Sequence, residues 1–262
     1  MIRRKLFGFS SLALALALAL AGCGGGTEAP PAEQAASDPA AAPSTPIDPA
    51  TAATITGKIV FAGAKPTMPR IRMDAVPACT AANSAPVYSE EVVVNDNGTL
   101  RDVYVYVKEG LGDRSFPVPA EPVKLEQLGC TYKPHVLGIM TGQKFEITND
   151  DPTNHNVHPL PTSNREWNQS QPPGSSPIVQ EFARPEVMIP VKCNVHPWMK
   201  AYVGVQRHPF FAVTGTDGTF TIQGLPPGDY VIEAWQEKYG TQQMNVTVGP
   251  SETKTADFTF TG

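Results

Sequence analysis

The stretch "RDVYVYVKEG", residues 101–110, alternates apolar valines with tyrosines. Val103, Val105 and Val107 project to one side of an extended chain and Tyr104 and Tyr106 to the other, which is the two-residue period of a half-buried strand. The same short, alternating character recurs in ITGKIVFAG (55–63), QKFEITND (143–150), AYVGVQ (201–206), GTFTIQG (218–224), DYVIEAW (229–235), QQMNVTVG (242–249) and TADFTF (255–260). The 22 glycines and 27 prolines of the chain supply turns between such runs. Beyond the N-terminal apolar segment nothing sustains a helical apolar period. The pattern predicts an all-β protein of sandwich type.

The chain has 262 residues and a formal net charge of -5. Its acidic balance and the lack of a polybasic run after the first residues argue against a nucleic-acid partner. Arg3, Arg4 and Lys5 precede the apolar stretch LFGFSSLALALALALA, which is followed by Gly22 and Cys23. A basic, then apolar, then small-residue order reads as a secretory signal over residues 1–22, because the apolar run is too short to span and remain in a bilayer. Leu20-Ala21-Gly22-Cys23 resembles a bacterial lipobox. The resemblance implies cleavage before Cys23, acylation of that cysteine, and a lipid-anchored protein on the periplasmic or extracellular face of a membrane. Residues 23–53, rich in Ala, Pro, Ser and Gly, hold too little apolar surface to offset their ordering entropy and are expected to form a disordered tether. Thirty such residues reach on the order of 90 Å. The rest suffices for one large or two small domains.

There are four cysteines, at positions 23, 79, 130 and 193. With Cys23 acylated, three remain, and an odd cysteine in an oxidising compartment needs a partner or an occupant. Three pairings are formally open. The surroundings of Cys193 make it the best candidate for the occupied one: "CNVHPWM", residues 193–199, spaces a thiol, an imidazole and a thioether as C-x2-H-x2-M. Upstream, "NDDPTNHNVHPL", residues 149–160, adds His155 and His158 in a polar turn after a strand. A thiolate and two imidazoles near one plane, with a weak axial thioether, suit copper in both oxidation states.

The run "TYKPHVLGIMTGQKFEITNDDPTNHNVHP" and the run "VMIPVKCNVHPWMKAYVGV" resemble the cupredoxins, the plastocyanin, amicyanin and pseudoazurin family of blue copper proteins. The likeness spans about residues 118–206, and the tight ligand loop is most similar to that of amicyanin. It implies a Greek-key β-sandwich over residues 117–207 with one copper ion, Cu(I)/Cu(II), held by His155, Cys193, His196 and Met199. It further implies that Asn156 ties the two ligand loops together. His158 alternates away from His155 along an extended segment and is not expected to ligate. His135 and His208 read as surface or structural histidines, and Met140, Met188 and Met244 as core or strand residues. A binuclear centre lacks its second thiolate, no His-x-His pair is present, and Met is an improbable zinc ligand. No nucleophilic or paired-carboxylate constellation stands out, so an electron-transfer protein is expected rather than an enzyme.

"GTFTIQGLPPGDYVIEAW", residues 218–235, resembles the closing strands of carboxypeptidase regulatory-like domains, which are transthyretin-like sandwiches. About four strands are expected after residue 208, too few to close such a sandwich. The missing ones are expected upstream, giving a discontinuous domain of residues 54–116 and 208–262 with the copper domain inserted. Cys79 and Cys130 are then left to pair, pinning the two domains together. The resembling proteins expose an edge of the second loop histidine inside an apolar docking ring, which here directs attention to Pro197 and Trp198 as the contact for redox protein partners or a respiratory complex. The expected function is a membrane-tethered carrier of single electrons. The alternative is a non-redox surface lipoprotein that holds copper or binds a carbohydrate or protein through its β-sandwich.

Overall fold

The structure, a computed structural model, describes residues 44–262. The signal segment, Cys23 and the first part of the tether lie outside the described residues. The chain opens with β1 (Ala53–Ala62), a short helix α1 (Pro77–Ala81), β2 (Val93–Val94), β3 (Leu100–Arg101) and β4 (Tyr104–Glu109). The middle segment holds β5 (Val123–Gln127), β6 (Tyr132–Lys133), β7 (Val136–Met140), β8 (Phe145–Asn149), β9 (His155–Pro159), β10 (Gln169–Gln171), β11 (Ile178–Gln180), β12 (Glu186–Lys192) and β13 (Lys200–Gln206). The last segment holds β14 (Phe211–Val213), β15 (Thr219–Leu225), β16 (Gly228–Gln236), β17 (Gly240–Val248), β18 (Thr253–Thr255) and β19 (Phe258–Thr261).

Strand pairing separates these elements into two sandwiches. β1 pairs antiparallel with β15 and parallel with β18 and β19. In the facing sheet the order is β14-β4-β16-β17. Ile55, Ile59, Val103, Val105, Val107, Ile222, Ile232 and Phe260 share the core of this terminal sandwich. The middle strands pair among themselves, in the orders β10-β9-β12-β13-β7 and β11-β8-β5-β6. Leu125, Ile139, Phe145, Ile147, Val157, Ile189 and Val203 share the core of this middle sandwich. Six strands, rather than four, follow residue 208. β14 and β18 are three residues each, too short for alternation to reveal.

Three expectations change. Residues 44–53 do not continue the tether: Thr45 N–H donates to the Ser115 carbonyl, Ile47 packs on the terminal core, and Ala53 already begins β1. The segment around α1, assigned by sequence to the terminal sandwich, packs instead on the middle one. Met73 and Cys79 are buried in that core, with Ile71, Val76 and Val87 against it. The Cys79–Cys130 disulfide is present, with an S–S distance of 2.01 Å, but both cysteines belong to the middle core. It fastens α1 to the middle sandwich and does not bridge two domains.

β4 decides how the sandwiches meet. Its valines enter the terminal core, and its tyrosines, expected on a wetter face, are buried at 0% and 4% exposure for Tyr104 and Tyr106. They cluster with Val136 and Met188 of the middle sandwich. Gly138 on β7 and Gly204 on β13 are register partners. A Cβ on Gly204 would overlap the Tyr104 ring, and one on Gly138 would overlap Phe211. Two adjacent glycines thus form a flat patch on which aromatic rings lie against backbone. At the rim, His135 Nε2 meets Glu237 Oε2 at 2.7 Å and its Nδ1 meets the Lys200 carbonyl at 3.2 Å. Burial works against the His135 charge, but Glu237 outweighs it and raises the imidazole above its ordinary value. His208 is buried, which lowers it to about 4.

Gly204→Val is expected to destabilise the protein by about 1–3 kcal/mol through overpacking at this patch. A Tm equal to that of the parent in thermal unfolding would show that Tyr104 does not need the glycine surface.

Candidate metal centre

β9 and β12 are adjacent antiparallel strands with His158 opposite Lys192. That register brings the start of β9 against the loop that leaves β12, so His155 and Cys193 meet although 38 positions separate them in the numbering. The Tyr132 hydroxyl lies 2.6 Å from the Asn156 carbonyl and 3.1 Å from the Lys192 carbonyl, bracing both strands from below. The loop between β12 and β13 closes on itself. Met199 N–H donates to the His196 carbonyl at 2.9 Å, Cys193 N–H to the Met199 carbonyl at 3.3 Å, and His196 N–H to Cys193 Sγ at 3.4 Å. Met199 is thereby returned beside Cys193, buried in the same core.

Asn156 joins the two loops. Its Oδ1 accepts from Asn194 N–H at 2.7 Å and Val195 N–H at 3.3 Å, and lies 3.4 Å from Cys193 Sγ. Its Nδ2 donates to Asn168 Oδ1 at 2.7 Å. His158, by contrast, points to Glu166 at 2.6 Å and Asn194 at 3.2 Å, away from the cluster.

One donor atom each from His155, Cys193 and His196 lies within 4.8 Å of the others. The two Nδ1 atoms face each other at 2.9 Å. Each Nε2 is engaged elsewhere: His155 Nε2 meets Asp151 Oδ2 at 2.9 Å, and His196 Nε2 lies 3.6 Å from Cys79 Sγ. The Asp151 carboxylate accepts from His155 Nε2, and the two Nδ1 atoms are left facing each other inside the cluster. His155, Cys193, His196 and Met199 are all 2% exposed or less. Two converging imidazole nitrogens beside a thiol, closed off from water, are a donor set that suits a first-row transition ion.

Electrostatics agree with that chemistry. Burial pushes the Cys193 thiol up, but His155 and the N–H groups of Asn156, His196 and Val195 outweigh it and hold it below the usual thiol value. Burial pulls His155 down, while Asp151 and Cys193 carry it above its ordinary value. His196 is lowered by burial and by His155. The other donor groupings contain Cys79 or Cys130. Their sulfurs are engaged in the disulfide and offer no thiolate.

Two features differ from expectation. His196 presents no solvent edge, being 1% exposed, because the α1 segment and the disulfide cover it. Trp198 is half-buried, its ring 5.2 Å from that of His196 and its Nε1 donating to the Cys130 carbonyl at 3.0 Å. Pro197 and Val195 of the same loop are exposed. Asp151, unweighed in the sequence, stands four residues before His155; that spacing in "DPTNH" was the available signal. Asn156→Leu is expected to leave the Asn194 and Val195 N–H groups without this acceptor, costing about 1–3 kcal/mol. The check is urea unfolding with hydrogen exchange at Asn194, and an unchanged exchange rate would remove Asn156 as the tie.

The carboxypeptidase regulatory-like domain family matches residues 197–261. The matched range begins inside the ligand loop, whereas strand pairing places residues up to Gln206 in the middle sandwich. A search of curated proteins finds no match. Among solved structures, a copper-containing nitrite reductase from Thermus scotoductus SA-01 is similar at 21% identity over 37% of this chain, with a TM-score of 0.32. The match spans 25% of the reductase chain. A purple cupredoxin from Nitrosopumilus maritimus is similar at 21% identity over 32% of this chain and 98% of its own, with a TM-score of 0.28. A Cu(I) amicyanin variant is similar at 17% identity over 39% of this chain and 98% of its own, with a TM-score of 0.29. The chain is thus all-β, with a carboxypeptidase regulatory-like match over residues 197–261 and a second sandwich that carries the His155, Cys193 and His196 cluster.

Proposed function

We propose that this protein is a lipid-anchored carrier of single electrons in which His155, Cys193 and His196, with Met199 as a weaker fourth donor, would hold one copper ion. The observation that carries the reading is the pair of inward-facing Nδ1 atoms 2.9 Å apart beside a buried thiol. Copper bound there supplies a one-electron Cu(II)/Cu(I) couple. The chain's own part is to keep the donors still and dry. Asn156 and the loop hydrogen bonds fix the thiolate and the second imidazole, so little has to move between oxidation states. Burial of all four side chains keeps the donors away from bulk water.

Acylation at Cys23 and the tether that follows would keep the protein at a membrane outside the cytoplasm, within reach of redox proteins or a respiratory complex. Among the described residues no helix is long and apolar enough to cross a membrane. Partner contact is proposed at Pro197 and Trp198, because Pro197 is exposed and the Trp198 ring leans on that of His196. A small, partly apolar contact of this kind permits rapid dissociation.

Addition of one equivalent of Cu(II) to the protein lacking its signal segment is expected to give an intense thiolate-to-copper visible band and narrow copper hyperfine splitting. Cys193→Ala should abolish both. A colourless protein, or equal spectra for parent and variant, rejects the copper reading and leaves the terminal sandwich as the place to seek a function. For the contact, Trp198→Ala is expected to slow stopped-flow electron transfer with a basic c-type cytochrome by about tenfold, the scale of an interface hot spot. An unchanged rate with the copper spectrum retained rejects docking at this residue.

A further inference from the structure

The side chain of Asp151 is 1% exposed, yet it is an ionisable group that the donor set itself does not use. Three donors converge on its carboxylate. Gly129 N–H donates to Oδ1 at 2.7 Å, Cys130 N–H to Oδ2 at 2.7 Å, and His155 Nε2 meets Oδ2 at 2.9 Å. Both backbone donors come from residues in the left-handed region, Gly129 at φ 68 and Cys130 at φ 54. Successive N–H groups in such a turn form a concave anion cradle. Glycine adopts this conformation freely; Cys130 does not, and the surrounding contacts hold it there. Its sulfur is bonded to Cys79, its carbonyl accepts from Trp198 Nε1, and Asn83 Nδ2 donates to the Gly129 carbonyl at 2.9 Å. The covering segment therefore builds the cradle, the cradle fixes the carboxylate, and the carboxylate fixes the ring of His155.

From this geometry we infer that Asp151 is a positioning residue for the metal centre, holding the His155 proton on Nε2 and biasing the site toward the more highly charged metal state. The inference rests on the copper reading. A carboxylate that accepts from the far nitrogen of a ligating imidazole makes the near nitrogen a stronger donor. It also adds a negative charge where no water screens it, which favours Cu(II) over Cu(I) and lowers the reduction potential. Asp151 and the Cys193 thiolate together balance the two charges of Cu(II); with Cu(I) one negative charge is left over in a buried site. The Cys79–Cys130 disulfide enters the same chain of contacts twice, through the Cys130 N–H and through Cys79 Sγ beside His196 Nε2.

Asp151→Asn keeps the shape and an acceptor oxygen while removing the charge. It is expected to retain the thiolate-to-copper band and to shift the Cu(II):Cu(I) affinity ratio at least tenfold toward Cu(I), a rise in potential of about 59 mV for a one-electron couple. Asp151→Glu, which restores the charge, should return the potential part of the way. An unchanged potential in Asp151→Asn with the band intact overturns the inference while leaving the copper reading standing. Should Asp151→Asn fail to fold, the wild-type protein decides. Nitrogen-15 spectra of the metal-free and Cu(I) forms are expected to show a slowly exchanging proton on His155 Nε2. A ring proton on Nδ1 with none on Nε2, or one on Nε2 that exchanges at the rate of an exposed imidazole, overturns it. If wild-type protein with copper shows no thiolate band, the proposed function fails by itself, and the proton on His155 in the metal-free protein still reports whether Asp151 positions the ring.

Discussion

The local structure turns on one juxtaposition: the Nδ1 atoms of two buried imidazoles lie 2.9 Å apart beside the Cys193 thiol, while each Nε2 has a neighbour of its own. Asp151 serves His155 and the Cys79 sulfur lies against His196, so neither ring gains by rotating its nitrogen outward. Much of the local structure follows from keeping these acceptors in place. The left-handed turn at Gly129 and Cys130 exists to aim two N–H groups at Asp151. The Cys79–Cys130 bond holds α1 against the middle sandwich, where Cys79 Sγ lies 3.6 Å from His196 Nε2.

Rigidity of the two loops that carry the His155, Cys193 and His196 cluster comes from a different source. Asn156 sits next to His155 on β9 and spends its carbonyl oxygen on the backbone of the loop that carries Cys193. One side chain thus links a strand to a loop more than thirty positions away, and Tyr132 braces the same two strands through their carbonyls. Neither residue is a member of the His155, Cys193 and His196 cluster, yet both hold the strands and loop that carry it. Around this centre the terminal sandwich acts as a support, since β4 feeds valines to its own core and tyrosines to the glycine patch of the middle sandwich.

Legibility varied with how local the physical cause was. The alternation in residues 101–110 was readable because side-chain direction along a strand depends only on neighbouring residues. The donor spacing of residues 193–199 was readable for the same reason, since a tight loop brings its own members together. What covers Tyr104 was not readable, because burial on the second face of β4 is supplied by Gly138 and Gly204, far along the chain. The short strands β14 and β18 escaped notice because three residues carry no period. The burial of His196 escaped notice because the cover comes from a segment more than a hundred positions earlier.

The sequence by itself determined the all-β character, the order of the candidate donors His155, Cys193, His196 and Met199, and the cysteines left over to pair. These are properties of residue type and short spacing, and they hold whatever the rest of the chain does. Only the tertiary structure decided that the α1 segment packs on the middle sandwich, that the disulfide fastens it there instead of joining two domains, and that Asp151 stands behind His155. Each of those depends on contacts between residues distant in the chain, which form because two sheets must bury one face apiece and a buried polar atom must find a partner.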